Sequence, residues 1–154
     1  MRTLIQRVAR AQASETLAPE NDIAAIQKGM VILVGFEEGD SQVCIEQMAQ
    51  KIRNLRIFAD PQGKMNLSGP EVEAQYLITS QFTLYADCKY GNRPSFAGAA
   101  PKLRAKEYYE HFVATMSRIM GEDRVTFTPF GSDLHVGLIN DGPVTIWLDS
   151  KEIL

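Results

Sequence analysis

Hydrophobic residues in the first part of the chain follow two spacings, which predict strands around a helix. The run MVILVGF at 30–36 is continuously apolar, as expected for a central strand covered on both faces. Apolar residues then recur every three or four positions, the spacing of one helical face, after Asp40 or Ser41 as the cap. These apolar residues are Ile45, Met48, Ile52 and Leu55. A first strand is predicted at 1–10 and another at 55–58, whereas 11–29 is ambiguous.

The second part of the chain repeats this order of elements without repeating its residues. A long strand is predicted at 75–86, followed by a loop rich in glycine and proline at 89–101. Pro101 suits the first turn of a second helix, and Gly121 suits its end. The apolar face of this helix consists of Ala105, Tyr108, Phe112, Met116 and Ile119. Three further strands are predicted near 124–128, 133–139 and 143–149.

These elements predict an α/β fold in a single domain that spans residues 1–154. Two strand-helix-strand halves place mixed sheets on one side and two main helices on the other. The hydrophobic content of 45% and the charged content of 23% are those of an ordinary globular protein. No apolar run approaches the roughly 20 residues that span a bilayer, and the N-terminal segment lacks the pattern of a signal peptide. We therefore expect no membrane association.

Charge is distributed unevenly along the chain. The net charge of −3 argues against a general nucleic-acid binder, but residues 51–106 hold nine Lys or Arg against four acidic residues. The remainder of the chain is acidic. A local basic face for phosphate contacts and ordinary solvated charge both explain this pattern, so both interpretations stay open.

Cysteines and other metal-binding residues show no ligand pattern. Cys44 and Cys88 form neither a CxxC pair nor a zinc spacing. Cys44 lies in the first helical pattern and fits a small buried hydrophobic residue. No cluster of histidine, cysteine or carboxylate has ligand spacing, so a catalytic metal is not expected. Two unpaired cysteines are simplest to explain in a reduced, cytoplasmic protein.

The sequence also contains no recognisable catalytic motif of the common hydrolases. His111 suits the surface of the second helix, and His135 points away from the face shared by its apolar neighbours at 134, 136 and 138. A Ser80–His135 pair with an aspartate has no motif behind it. Thr83 fits an ordinary strand residue, a residue that positions substrate, or a nucleophile without an evident base. An enzyme with this sequence would therefore use backbone amides, an activated water or a group on its substrate.

Six short motifs, in this order, carry a resemblance to a known family. They are IQRV at 5–8, LRIF at 55–58, GKMNLS at 63–68, SQFTL at 80–84, GNRPSF at 91–96 and NDGPVT at 140–145. Together they resemble the D-aminoacyl-tRNA deacylases. The resemblance implies a barrel-like fold and hydrolysis of the ester between a D-amino acid and the terminal adenosine of tRNA, with mischarged glycine also removed. It further implies a homodimer that needs neither a metal nor a cofactor.

The resemblance also implies roles for individual residues. Gly142 and Pro143 would form a cis peptide that enters the other subunit's site as a chiral selector, and Arg7 would pin this loop across the dimer. The opposite wall would consist of Ser80, Gln81, Phe82 and Thr83. Backbone N–H groups near Phe82 would stabilise the oxyanion, and the 2′-hydroxyl of the terminal ribose would help to activate water.

One position departs from the family pattern, and other functions stay open. Leu134 follows FGSD where the family usually has methionine, in a pocket implied to lie on the adenosine side. A related animal group acts on L-alanyl-tRNA, although the intact SQFTL and GPVT favour the D-specific type. One rival function is nucleic-acid binding without turnover, through the basic face at 51–106. The other is hydrolysis of small D-amino acid esters without tRNA, which lacks a nucleophile–base pair.

Overall fold

The computed structural model describes residues 1–16 and 22–154 as eight strands, three helices and short 3-10 turns. The strands are β1 (Arg2–Ser14), β2 (Asp22–Ile26), β3 (Gly29–Gly35), β4 (Phe58–Ala59), β5 (Met65–Leu67), β6 (Gln75–Ser80), β7 (Val125–Phe127) and β8 (His135–Asp149). The helices are α1 (Gln42–Arg53), α2 (Lys102–Met120) and α3 (Ser150–Ile153). The 3-10 turns lie at Pro70–Val72, Phe82–Tyr85 and Glu122–Arg124.

The main sheet has the order β2-β1-β3-β6-β7, and β8 also pairs with β1. Strands β3, β6 and β7 are parallel, because α1 returns the chain from β3 towards β6 and α2 returns it from β6 to β7. Strand β2 also packs against β6 and β7, so the sheet curls into a nearly closed barrel. The predicted α/β class, with two strand-helix-strand units and two main helices, is confirmed.

Two hydrophobic clusters lie on opposite faces of the central strands. In β3, Met30 and Ile32 pack into the cluster that includes residues of α1 and α2, whereas Val31 belongs to the second cluster. The second cluster consists of Val8, Ala11, Ala13, Ala24, Ile26, Val31 and Leu77. The apolar run at 30–36 therefore forms a central strand that is covered on both faces, as predicted.

The two main helices begin and end close to the predicted positions. Ser41 caps α1 by accepting a hydrogen bond from the Cys44 amide at 3.1 Å, and Leu55 lies beyond the end of this helix. Pro101 precedes α2, which ends at Gly121, where a φ of +101° favours glycine. Tyr109 rather than Tyr108 is buried beneath α2. None of the helices in the two described segments is both long enough and apolar enough to cross a bilayer.

Four strand predictions need correction. The strand predicted at 75–86 ends at Ser80, because the chain folds into a 3-10 turn after the Gln81 amide has made its bond to the Val34 carbonyl of β3 at 2.7 Å. At 55–58 only Phe58 is in a strand. The strands predicted at 133–139 and 143–149 are one strand, β8, because both parts pair with β1.

The N-terminal strand is also longer than the pattern predicts. The strand predicted at 1–10 continues to Ser14, where β1 pairs with β2 as well as with β8. Within the ambiguous segment 11–29, the structure therefore contains the end of β1, all of β2 and the start of β3. Residues 17–21 of that segment lie outside the described residues.

Candidate active site

A cavity of about 340 Å³ lies beyond the carboxyl ends of the parallel strands β3 and β6. Ligands of open α/β sheets characteristically bind beyond this end of the strands. The walls are formed by residues 34–36, 79–83 and 130–134, together with Ala100, Ala105 and Val136. Ser80, Gln81, Phe82 and Thr83, all predicted from the sequence, therefore line one cavity together.

The loop at 130–134 and the segment before it are fixed to β6 by hydrogen bonds. The Gly131 amide donates to Ser80 Oγ at 3.0 Å. The Tyr109 hydroxyl donates to the Thr128 carbonyl at 2.7 Å, and its oxygen lies 3.1 Å from the Ile78 carbonyl, so it bridges β6 and the segment before the loop. Burial raises the pKa of Tyr109 to about 12, so this hydroxyl stays protonated. Ser80 thus has a structural partner.

The turn Phe82–Tyr85 begins with two residues that line the cavity, Phe82 and Thr83. Gln81 Nε2 donates to Thr83 Oγ1 at 2.5 Å, which fixes the threonine side chain. The amides of Phe82 and Thr83 begin the turn, so its i to i−3 pattern leaves them without a partner inside it. Phe82 is 58% exposed. This wall therefore offers donors for a developing negative charge without offering a base.

Arg2 supports the same turn from beneath, a role that no sequence motif indicated. Its Nη1 donates to the Leu84 carbonyl at 3.0 Å, and its guanidinium carbon lies 4.4 Å from the centre of the Tyr85 ring. Its Nε donates to Asp149 Oδ2 at 2.8 Å, and this hydrogen bond raises the pKa of Arg2. Burial acts to raise the pKa of Asp149, but hydrogen bonds from Arg2 and the Lys151 amide outweigh it and leave that pKa below its ordinary value.

The Gly-Pro segment stands on the surface and does not line the cavity of its own chain. Asp141, Gly142 and Pro143 are exposed, and the peptide bond between Gly142 and Pro143 is cis. Arg7 Nε donates to the Asp141 carbonyl at 2.7 Å and Arg7 Nη1 donates to the Ile57 carbonyl at 2.6 Å. In the single chain, Arg7 therefore contacts the loop of its own subunit. This contact follows from the pairing of β1 with β8, which continues on both sides of Arg7.

Asn140 closes the base of this loop, and its role was not predicted. Its Oδ1 accepts from the Val144 amide at 2.7 Å, and its Nδ2 donates to the Val144 carbonyl at 3.2 Å. The same Nδ2 lies 3.2 Å from Thr145 Oγ1. One side chain thus bridges both limbs of the loop. The motif NDGPVT contains this asparagine, and asparagine is common in turns. The hydrogen bonds across the loop, however, form only in the folded chain.

Ionisable side chains are scarce around the cavity. Among its described lining residues, only Asp133 carries a titratable group. Leu134 and Val136 line the cavity whereas the exposed His135 does not, so His135 points away from their face as predicted. Within residues 1–16 and 22–154, no three His, Cys, Asp or Glu side chains are grouped to hold a metal. The arrangement suits chemistry that uses backbone donors and water.

Comparisons with known proteins agree on one family over nearly the whole chain. The family model described as D-Tyr-tRNA(Tyr) deacylase matches residues 4–149. A D-aminoacyl-tRNA deacylase of Thermotoga petrophila is 43% identical over 153 residues, and one of Koribacter versatilis is 48% identical over 153 residues. Each of these alignments covers 99% of both chains.

Solved structures extend this likeness to the fold. The structure titled c-Myc DNA Unwinding Element Binding Protein matches with a TM-score of 0.88 and 35% identity, covering 97% of this chain and 98% of the other. A probable eukaryotic D-amino acid tRNA deacylase matches with a TM-score of 0.81 at 17% identity, covering 96% and 97%, and so supports the fold alone. The family match, the sequence relatives and the shared fold together show that this chain is an enzyme belonging to the D-Tyr-tRNA(Tyr) deacylase family.

Proposed function

We propose that this enzyme hydrolyses the ester bond between a D-amino acid and the 3′-terminal adenosine of tRNA. The observation that carries the proposal is the cavity wall at residues 80–83, which matches the family motif and places backbone donors beside a nearly uncharged cavity. The products would be a free D-amino acid and a tRNA that can be charged again. The enzyme would thereby keep D-amino acids out of translation.

The chemistry of the cavity favours attack by water over a covalent intermediate. Ser80 accepts from the Gly131 amide and Thr83 accepts from Gln81, and within the described residues neither hydroxyl is hydrogen-bonded to Asp133, the lining residue with a titratable group. A water oxygen would add to the ester carbonyl carbon while the amides of Phe82 and Thr83 bind the oxyanion. The bond to the ribose oxygen then breaks. The water proton would pass to that oxygen with help from the neighbouring 2′-hydroxyl of the substrate.

The exposed Gly142-Pro143 backbone is proposed to select the chirality of the substrate. Because this loop does not line its own cavity, it would act in the cavity of a second copy in a homodimer. A fixed backbone wall excludes a side chain of L configuration by collision, whereas a D side chain points away from the wall. Glycine has no side chain to exclude, so glycyl-tRNA would also be hydrolysed. Arg7 and Asn140 would hold the wall in position.

We also place the enzyme in the cytoplasm, where tRNA is used. Both Cys44 and Cys88 are free, which suits a reducing compartment. No metal or cofactor is needed for the proposed reaction, because water and the substrate hydroxyl supply the reacting groups. The cavity walls would supply orientation and backbone donors.

The proposal is tested by measuring release of amino acid from matched D-tyrosyl-tRNA and L-tyrosyl-tRNA in the presence of a chelator. Rapid loss of the D ester with survival of the L ester is the expected result. Glycyl-tRNA should be hydrolysed as well. If neither tyrosyl ester is lost faster than in buffer, the proposed activity is wrong, and if the chelator stops the reaction, the metal-free mechanism is wrong.

Nucleic-acid binding without turnover is the second candidate. A structural relative at 35% identity carries a title that describes a DNA-binding protein, and the basic excess at 51–106 would suit such a role. This candidate predicts salt-sensitive binding of general RNA or DNA and no release of amino acid. The same assay with D-tyrosyl ethyl ester tests the remaining alternative, because only an esterase for small molecules would prefer that substrate to the tRNA.

A further inference from the structure

The segment between the cavity wall and α2 is strongly basic. From residue 88 to residue 106 the chain contains no Asp or Glu but five basic residues, Lys89, Arg93, Lys102, Arg104 and Lys106. The last two pair with Glu107 and Glu110 on α2, at 2.8 and 3.8 Å. Within the described residues, the first three form no ion pair, and all three are exposed. Their charge is therefore available to a partner.

Hydrogen bonds of the backbone anchor this segment at both ends. Asp87 and Ser95 exchange backbone hydrogen bonds of 2.7 and 2.9 Å, which closes the loop between them. The Asp87 carboxylate accepts a hydrogen bond from the Lys89 amide at 2.8 Å and so stabilises the backbone of the loop. Further along, the Ala100 amide donates to the Phe36 carbonyl at 2.9 Å, which ties the segment to the end of β3.

Exposed aromatic rings are interleaved with these cations. Tyr90 is 79% exposed, and the Lys89 ammonium lies 5.2 Å from the centre of its ring. Phe96 meets Phe82 of the cavity wall edge to face, with ring centres 5.0 Å apart. Alternating cations and aromatic rings are the elements with which proteins bind single-stranded nucleic acid, because the cations contact phosphates and the rings stack on bases.

A second cavity connects this segment with the candidate active site. It has a volume of about 360 Å³ and is lined by Phe82, Phe96 and Lys102, among others. The residues that it shares with the first cavity are Phe82, Ala100, Ala105, Phe130 and Gly131. A nucleic-acid strand whose last nucleotide occupies the first cavity can therefore leave it through the second cavity, past the aromatic pair and Lys102.

We infer that Lys89, Tyr90, Arg93 and Lys102, the basic loop surface, bind the single-stranded nucleotides that precede the terminal adenosine of the substrate RNA. The inference rests on the proposed function and identifies the surface that holds the substrate outside the reacting nucleotide. An acidic protein segment would use the cations but would leave the exposed rings without stacking partners, so RNA is the better match.

The test compares two substrates that differ only in the RNA, D-tyrosyl-tRNA and D-tyrosyl-adenosine. The variant Lys89→Gln/Arg93→Gln should lower the ratio of kcat/KM for the tRNA to that for the adenosine ester by about tenfold. The slope of log kcat/KM against log salt for the tRNA should become shallower by about 1.4, because each single-strand phosphate that a cation neutralises adds roughly 0.7 to that slope. Lys51→Gln/Arg118→Gln, which changes two exposed basic residues of a different surface groove, should leave the ratio and the slope unchanged.

Each other outcome has a separate meaning. An unchanged ratio in the loop variant would overturn the inference and make an acidic protein segment the next partner to test. An equal loss with the control variant would show that net charge alone matters, which also overturns it. If the unmodified enzyme hydrolyses neither substrate, the proposed function itself is wrong. Thermal unfolding of both variants should match the unmodified protein, since none of the four side chains is buried.

Discussion

The cavity wall at residues 80–83 and the loop at 141–143 share a reliance on backbone groups but are held in different ways. The wall continues from the central strand β6, and main-chain bonds to β3 and the bond between Ser80 and Gly131 fix it to the core. The loop projects from β8 into solvent, and the side chains of Arg7 and Asn140 fix it. One region is rigid because of the core beneath it, and the other because two polar side chains brace it.

This difference indicates a division of labour between the two regions. In the proposed mechanism the wall provides donors for the oxyanion inside its own subunit, and the loop provides discrimination in the other subunit. Damage to the loop should therefore reduce activity without unfolding the subunit that carries it. Damage to the wall should stay confined to one cavity.

Replacement of Gly142 by alanine should have the largest effect on activity. The added Cβ would lie 2.7 Å from both the amide nitrogen and Cγ2 of Val144, and the Gly142 φ of +154° disfavours a side chain. A loop displaced by about 1 Å is expected to lower kcat/KM for D-tyrosyl-tRNA by about 100-fold. Thermal unfolding should change little, because the loop is exposed. A fully active variant would show that the loop takes no part in the reaction.

Mixing subunits shows which cavity the loop serves. Val136→Trp fills the cavity from a position that is 39% exposed, and should inactivate its own site. This variant and Gly142→Ala, each alone, should show only a small fraction of the unmodified activity. If the loop acts across a dimer, exchange of the two variants regenerates one intact site in each heterodimer, about a quarter of all sites at equal mixing. No recovery after proven subunit exchange would mean that each loop serves its own chain.

The Asn140 brace should have an intermediate effect. Asn140→Ala removes the acceptor of the Val144 amide and should lower stability by about 1–2 kcal/mol and kcat/KM by about tenfold. Asn140→Asp keeps that acceptor and loses the donor to the Val144 carbonyl. Its stability and kcat/KM should therefore lie between those of Asn140→Ala and of the unmodified protein. Urea unfolding and initial rates with D-tyrosyl-tRNA measure both quantities. Equal activity of all three proteins would contradict a positioning role for this side chain.

Removal of the Thr83 hydroxyl should have a smaller effect. Its only hydrogen bond among the described residues comes from Gln81, so Thr83→Ala should reduce kcat by no more than about fivefold if the residue only positions the substrate. Thr83→Val, which keeps the branched shape, serves as the matched control. Complete loss of turnover with normal tRNA binding would replace the water mechanism with a covalent one.

The smallest effect is expected at the Arg2–Asp149 pair, and it concerns stability. The pKa of Asp149 is lowered in the folded protein, so its contribution is present above its unfolded pKa, roughly 3.9, and is lost as pH falls through the folded value. Asp149→Asn should therefore be less stable than the unmodified protein at pH 7, and the difference should shrink at pH 3. Urea unfolding at both values measures this. A constant difference would show that ionisation of Asp149 contributes nothing.

Sequence patterns predicted elements well where burial alone decides the structure. The apolar run at 30–36 and the faces of both helices needed only the periods of strand and helix, and their caps lay at Ser41 and Gly121. The pattern failed at 75–86, where SQFTL has the composition of a strand. There the Gln81 amide bonds to β3 and the next residues turn locally, which no local propensity reveals.

The candidate site was predictable only as a set of motifs. Ser80, Gln81, Phe82 and Thr83 are contiguous, so their common wall follows from the chain itself. Arg2 was missed because its partners, Leu84 and Asp149, lie far away in sequence. Asn140 was missed because it reaches its partners only across the folded loop, and neither residue carries a catalytic signature. Whether Gly142-Pro143 lies near that wall could not be read from sequence, and in one chain it does not line the cavity.

The sequence by itself determined the α/β class, the central strand, the two main helices and the family. These features depend on the spacing of apolar residues and on the order of short motifs, which are properties of the sequence alone. Only the tertiary structure decided that β1 pairs with both β3 and β8, that the barrel nearly closes, and that the wall and the loop lie apart. Those arrangements depend on contacts between residues far apart in sequence, which no local pattern encodes.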